Sequence, residues 1–505
     1  MNSRKTTKNF IYSILSQIIT ISMGLLVPRL ILVGYGSEIN GLLNSVSQFV
    51  IYLGLFEAGV QIVAVQALYK PVSSDDRDSI NRILSAVNKS YRKTGIAYFV
   101  ALVCLSAVYP FAIRGGGIGY WTAFGVVMFS GLGNVLLFFF QGKYRILLQA
   151  EGKNYILTNL QTIISVLNNI VKIICLSLGC DVVLVLALSF LVNFVQVIYI
   201  QRMIKQKYAW IDLKQTPDQK ALEQKNAALI HQLSGMVFQN TDVLILTVFC
   251  GLKVVSVYSL YKLITSYLGA VIYSLYDSFS FVLGQTFQTD KAQYVKLIDT
   301  VEVYFSAIVF SVYTVAAVLF IPFIRLYTAG VEDINYVDTA VCALFIMTEL
   351  LTFARLPMLN TINYAGRFSQ TLPQTLIETT INLTVSLVAV KHFGICGVLF
   401  GTCAALLYRD TEVFLFVNHR ILNRKAVKTC SIYVINAVIL LLLVTLWNMA
   451  PFRITSYVQF FVHGLVLTPC VLLLYFTVLS IFYPKERRLI LGKIKSFVAT
   501  DKHVT

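Results

Sequence analysis

The chain has 505 residues, of which 57% are apolar and 13% charged; its mean hydropathy is +0.74 and its formal net charge +17. A soluble domain carries about 25% charged residues, so a soluble globular protein is excluded. The basic excess, which in a soluble protein would raise nucleic acid as a partner, falls in loops between apolar stretches, and no nucleic-acid partner is expected.

Those stretches are the predicted elements. A hydrocarbon core about 30 Å thick needs roughly 20 apolar residues per helical crossing, and only helices or closed barrels satisfy their backbone groups there. In chain order, spans are predicted at 10–33, 42–67, 94–113, 120–141, 156–178, 182–203, 227–250, 255–282, 302–324, 339–362, 371–391, 394–417, 429–449 and 457–482. The expected fold is an all-α polytopic membrane protein of about 14 transmembrane helices. Loop 68–93 is basic and is expected to hold a short interfacial helix, with Asp75, Asp76 and Asp78 near its start. The GGGIG run at 115–119 lacks a preceding strand and reads as a turn.

Of the 41 Lys and Arg, 31 fall at the N-terminus, in every second loop and in the tail. Arg114, Lys253, Arg325, Lys391 and Arg453 occupy the opposite loops. This asymmetry places both termini in the cytoplasm and requires an even number of spans. Span 10–33 has no small-residue cleavage site and reads as an anchor. The nine Cys are scattered without metal or CxxC spacing and read as small hydrophobes.

The two halves resemble each other. Thr158, Gln161, Thr162 and Asn169 open the fifth span; Thr371, Gln374, Thr375 and Asn382 open the eleventh with the same spacing. The preceding loops match in Gly152-Lys153 and Gly366-Arg367, and Gly36 ends the first span as Gly251 ends the seventh. Both six-helix blocks would have one orientation, as in parallel-repeat transporters. The expected division is an N-terminal lobe 1–208, an inter-lobe loop 209–226, a C-terminal lobe 227–418, and a final helix pair with a basic tail, 419–505.

A charge at the bilayer centre costs about 2.5–3.5 kcal/mol even on the lenient insertion scale. Arg29, Glu57, Lys172, Asp242, Lys262, Glu349, Arg355, Glu378, Arg409, Asp410 and Glu412 all fall inside predicted spans. They must face protein or a watery cavity. In the fifth span Gln161, Ser165, Asn168 and Lys172 share a helix face, and in the eleventh Gln370, Gln374, Glu378, Asn382 and Ser386 step by four. Ser13, Gln17, Thr20, Gly24 and Pro28 lead up to Arg29 in the first. Interhelical hydrogen bonding explains such stripes as well as a transport path does. Arg29 and Lys172 can snorkel, and Arg409 and Glu412 can pair within one helix. Glu57, between Gly54 and Gly59, and Asp242 have no such explanation. The five His are dispersed and no HExxH or P-loop occurs, so no enzyme, cofactor or metal site is expected. The energy source would be a gradient or the membrane potential.

The segments GYGSEINGLLNSVSQFV (34–50), LGLFEAGVQIVAVQALYKPVSSDDRDSIN (53–81) and NTDVLILTVFCGLKVVSVYSLY (240–261) resemble the polysaccharide (O-antigen and capsule type) flippases of the multidrug/oligosaccharidyl-lipid/polysaccharide exporter superfamily. The resemblance implies an undecaprenyl-diphosphate-linked oligosaccharide moved across the bacterial inner membrane by alternating access, with glycosyltransferases and a polysaccharide polymerase as pathway partners. It implies a cavity lined by the first, second, seventh and eighth helices, which carry Arg29, Glu57, Asp242 and Lys262. Substrate contact is expected at Arg29, Lys262, Arg355 and Lys172, because a diphosphate in low dielectric needs fixed cations. Coupling to H+ or Na+ is expected at Glu57, Asp242 and Glu378. The alternatives are a drug or cation antiporter of the same superfamily and a lipid II flippase. A glycosyltransferase or ligase would want a large outer loop, which the chain lacks.

Overall fold

The computed structural model describes residues 3–54, 57, 60–113, 117–219, 240–449 and 454–501, with side chains described outside 3–20, 62, 368–369 and 493–501. Among these the chain is helical, with no strand. The helices are α1 (Ser3–Leu53), α2 (Val60–Ser73), α3 (Arg77–Ala112), α4 (Tyr120–Leu136), α5 (Gly142–Ala150), α6 (Asn154–Ser177), α7 (Val182–Lys207) and α8 (Asn240–Phe249). There follow α9 (Leu252–Thr289), α10 (Lys291–Tyr327), α11 (Thr339–Ala354), α12 (Leu356–Tyr364), α13 (Leu372–Phe393), α14 (Ile395–Phe416), α15 (Val427–Met449), α16 (Tyr457–Phe482) and α17 (Pro484–Asp501). Nine helical spans among the described residues are long and apolar enough to cross a bilayer. Ser13, Gln17, Thr20, Lys220, Lys225, Arg114, Arg453 and the stretch 227–239 of the predicted seventh span lie outside the described residues or side chains.

The residues form two compact units, 1–259 with 330–334, and 260–329 with 335–505. In the first, α4 packs on α3 and α7, α6 on α7, and α1 on α4 and α6. Its core includes Leu42, Val46, Tyr98, Leu102, Val126 and Ile200. In the second, α10 packs on α15 and α16, and α14 on α11 and α13. Outward faces are inverted relative to a soluble protein: Leu441, Leu446, Phe461 and Leu465 are all exposed, as a surface solvated by lipid requires.

α1 consists of two helices that meet at Gly36 (φ 81°, ψ 176°), where the first predicted span ends, and there the Asp333 carboxylate accepts from the Ser37 N–H (3.0 Å) and Ser37 Oγ (2.5 Å). Two local expectations are corrected. The predicted second span is broken: α1 ends at Leu53, α2 starts at Val60, and Glu57 sits in a turn between them, donating its N–H to Gly54 O (3.0 Å). Glu57 is therefore not mid-helix. Finally, the basic segment after Asp76 is the first turns of α3 rather than a separate interfacial helix; Asp76 caps it by accepting from the Ser79 N–H at 3.1 Å.

Glycines at matching offsets along the chain share a backbone conformation. Gly36 and Gly251, Gly152 and Gly366, and Gly179 and Gly394 all have positive φ. Gly152 and Gly366 close Schellman motifs with the same bonds: Lys153 N–H to Leu148 O (2.8 Å) and Arg367 N–H to Ile362 O (3.1 Å). Both crossings that lead into these motifs are interrupted, by a π-turn at Leu137–Gln141 before α5 and by a break at Arg355 before α12. At the α5–α6 corner, the Glu151 carboxylate and the Tyr208 hydroxyl hold the Lys153 ammonium, pushing it above the ordinary lysine range and keeping the corner charged.

The α13–α14 hairpin is tight because Gly397 and Gly401 form a G-x-x-x-G stripe. A Cβ on Gly401 would land on Ser386 Oγ and within 2.8 Å of Asn382 O. Gly401→Ala is expected to destabilise the fold by about 1–3 kcal/mol through overpacking, read as a lower unfolding temperature in detergent. An unchanged transition would show that the hairpin can open without cost.

Candidate functional site

The polar stripe of α6 divides between two cavities of the first unit. Gln161 and Ser165 line one of about 450 Å³, together with Arg145, Asn154, Thr158 and Asn169. Asn168 and Lys172 line another of about 390 Å³, together with Asn40, Asn44, Ser189 and Asn193. Each cavity has one basic side chain and no carboxylate among its lining residues. Its carboxamides are placed by hydrogen bonds: Asn40 Nδ2 donates to Ser256 Oγ (2.6 Å), Asn44 Nδ2 to Asn40 O (2.8 Å) and Asn168 Nδ2 to Asn193 Oδ1 (3.3 Å).

Three groups in the Lys172 cavity have unused capacity. Lys172 makes no ion pair or hydrogen bond among the described residues, and Asn168 Oδ1 and Ser189 Oγ are buried without a partner there. A buried polar group normally finds a partner, so this cavity is built for water or a polar ligand. A cation beside amide donors and acceptors suits an anion or a sugar hydroxyl array.

The similar stripe on α13 has another fate. Asn382 Nδ2 donates to Thr402 Oγ1 (3.0 Å) and Ser386 Oγ to Val398 O (3.1 Å), both on α14. Glu378 Oε1 accepts from Arg355 Nη1 at 2.6 Å, and its Oε2 lies 3.6 Å from Arg409 Nε. Arg355 Nε is 3.9 Å from Asp410 Oδ1, and Arg409 pairs with Glu412 within α14 as its spacing predicts. Two guanidiniums and three carboxylates thus form one buried network, and α13 acts as interhelical glue.

The carboxylates Glu57 and Asp242 each accept from a tyrosine: Tyr91 Oη to Glu57 Oε1 (2.7 Å) and Tyr258 Oη to Asp242 Oδ2 (2.7 Å). Arg145 is within electrostatic reach of Glu57. Arg29 is half-buried and lines neither cavity. Lys262 is half-buried on α9, within electrostatic reach of Glu349, whose Oε2 accepts from Tyr313 Oη at 3.1 Å. The structure therefore joins Arg355 to Glu378 directly, gives Lys172 a cavity, and sets Glu57 and Asp242 in matching tyrosine contacts.

Sequence reasoning missed Arg145, Asn40, Asn44 and Asn193. Arg145 falls beyond the predicted span 120–141 because hydropathy drops after Gln141, although the helix resumes there as α5. Ser189 and Asn193, four apart in the otherwise apolar LALSFLVNFV, carried a readable signal.

Among solved structures, the fold matches a lipid II flippase, MurJ, in an inward closed conformation, with a TM-score of 0.70 and 15% identity over 95% of this chain and 100% of that one. It also matches an inward-facing multidrug resistance MATE family transporter of the MOP superfamily, with a TM-score of 0.64 and 16% identity over 79% of this chain and 95% of that one. A third match is a MOP superfamily transporter from Pyrococcus furiosus described for the reverse polarity of its binding pocket, with a TM-score of 0.51 and 17% identity over 82% of this chain and 96% of that one. No family model matches the sequence, and no curated protein does. At these identities the likeness is one of fold, shared with the first over 95% of this chain and with the other two over about four fifths of it.

Proposed function

We propose that this chain flips an undecaprenyl-diphosphate-linked oligosaccharide from the cytoplasmic to the outer leaflet of a bacterial inner membrane by alternating access, for surface polysaccharide assembly. In this reading both termini are cytoplasmic, and the lobes 1–208 and 227–418 are joined by loop 209–226 and followed by the helix pair and tail of 419–505. The observation that carries it is the chemistry of the α6 cavities: Lys172 or Arg145 among carboxamides and hydroxyls, with no carboxylate in the lining. That lining suits an anionic, hydroxyl-rich head group and suits a cationic drug poorly. Lys172, Arg29, Lys262 and Arg355 take the substrate roles, and Glu57, Asp242 and Glu378 the coupling roles with H+ or Na+.

A lipid II flippase is the second reading. It is favoured by the match to such a protein over 95% of this chain, against 79% for the MATE transporter. Both readings share a polyprenyl diphosphate carrier and differ in the glycan. A deletion strain separates them: a complete polysaccharide repeat unit accumulating on the cytoplasmic leaflet, relieved by the intact gene, supports the first. Accumulated lipid II supports the second, and unchanged lipid-linked glycans with altered drug sensitivity would replace both with the antiporter.

The coupling roles have their own test. Glu57→Gln and Asp242→Asn keep the shape and can still accept the tyrosine hydrogen bonds, but lose the charge. Each is expected to lower export about tenfold or more and to flatten its dependence on the ion gradient, because proton or cation uptake is removed. Export with unchanged gradient dependence in vesicles would sink the assignment.

A further inference from the structure

The C-terminus of α6 ends in a Schellman motif. Gly179 takes φ 68°, its N–H donates to Leu176 O (3.2 Å), and the Cys180 N–H donates back to Cys175 O (3.0 Å). The two residues joined by that longer bond are the ones whose side chains this motif brings into contact. Here both are cysteine, with free thiols in this structure, Cys175 buried and Cys180 half-buried. Among the described residues no other cysteine pair occupies such a motif.

The turn borders the Lys172 cavity. Tyr35, which lines that cavity, donates from Oη to Cys180 O at 2.6 Å, and Asp181 caps α7 by accepting from the Val183 N–H at 2.9 Å. In the orientation given by the basic loops, the α6–α7 turn lies on the outer face, where thiols are oxidised.

We propose that Cys175 and Cys180 form a disulfide bond that staples the α6–α7 turn beside the Lys172 cavity. The proposal rests on the orientation in the reading above and not on the substrate. The oxidant is an outer-face protein dithiol–disulfide oxidase. Its disulfide accepts two electrons and two protons to become a dithiol as the two S–H bonds are lost and one S–S bond forms. The bond fixes Cys180 O for Tyr35 and holds the first turn of α7, whose Val182 and Val185 line the cavity.

The full-length protein, unfolded in denaturant with N-ethylmaleimide and cut at Lys172 and Arg202, yields one peptide containing both cysteines. It is expected to carry no adduct and to be lighter by two hydrogens, and to take two adducts after reduction. Cys180→Ser should leave Cys175 open to alkylation without reductant. Two adducts before reduction would overturn the pairing. A Glu332→Cys reporter, at an exposed position of the loop after α10, checks the orientation with a membrane-impermeant maleimide on spheroplasts. Labelling only after lysis would overturn the outer-face placement and the proposal with it.

Discussion

Lys172→Gln is expected to reduce export of the lipid-linked glycan by about tenfold or more at unchanged protein level. Hydrogen bonds to charged groups contribute about 1.5–3 kcal/mol, and each 1.4 kcal/mol is about a factor of ten. Lys172 has no partner among the described residues whose loss would unsettle the fold. Neutralising it relieves the cost of a half-buried ammonium, so stability should hold or rise slightly. That separates a functional loss from a folding loss. Lys172→Arg keeps the charge but adds bulk in a cavity of about 390 Å³, and should retain part of the activity. Quantifying inner-leaflet glycan against an immunoblot of the protein reads the result. Full export by Lys172→Gln would remove the α6 cavity from the substrate path.

The second large effect lies in the buried network of α11, α13 and α14. Arg355→Leu leaves Glu378 without its 2.6 Å partner and Asp410 without its nearest cation. Breaking a buried pair from one side costs about 3–5 kcal/mol, because an uncompensated charge stays behind. The variant should unfold at a clearly lower temperature in detergent and accumulate poorly. Arg355→Met with Glu378→Met removes both charges and should recover much of that loss, though Arg409 then keeps only Glu412 and Asp410 nearby. A single variant as stable as the parent would show that the network carries no structural load. A stable double variant that exports nothing would mean that Arg355 or Glu378 acts in transport, as their proposed roles require.

The difference between these two sites is also the difference between what was legible in the sequence and what was not. Hydropathy and the placement of basic loops give the helical membrane fold, because lipid demands self-satisfied backbone over a fixed thickness. The repeat was legible because turns that need positive φ select glycine, as at Gly36 and Gly251 or Gly152 and Gly366. The α6 stripe was legible because a helix repeats its faces every 3.6 residues or so. The Arg409–Glu412 pair was legible for the same local reason.

What periodicity could not say is where a stripe points. The stripes on α6 and α13 look alike in sequence, yet α6 lines open cavities while Glu378, Asn382 and Ser386 of α13 are taken up by Arg355, Arg409, Thr402 and Val398. Those partners lie on other helices, 12 to 31 residues away, and nothing local selects them. The break at Glu57 escaped for a related reason: an averaged hydropathy window runs smoothly across a turn whose polar groups are satisfied from outside, here by Tyr91, 34 residues later. Local chemistry thus determined that this chain crosses a membrane many times and which residues are too polar to face lipid. Only the packing of helix on helix decided which of those residues pair and which are left to meet a ligand, because that outcome depends on the partner each one finds.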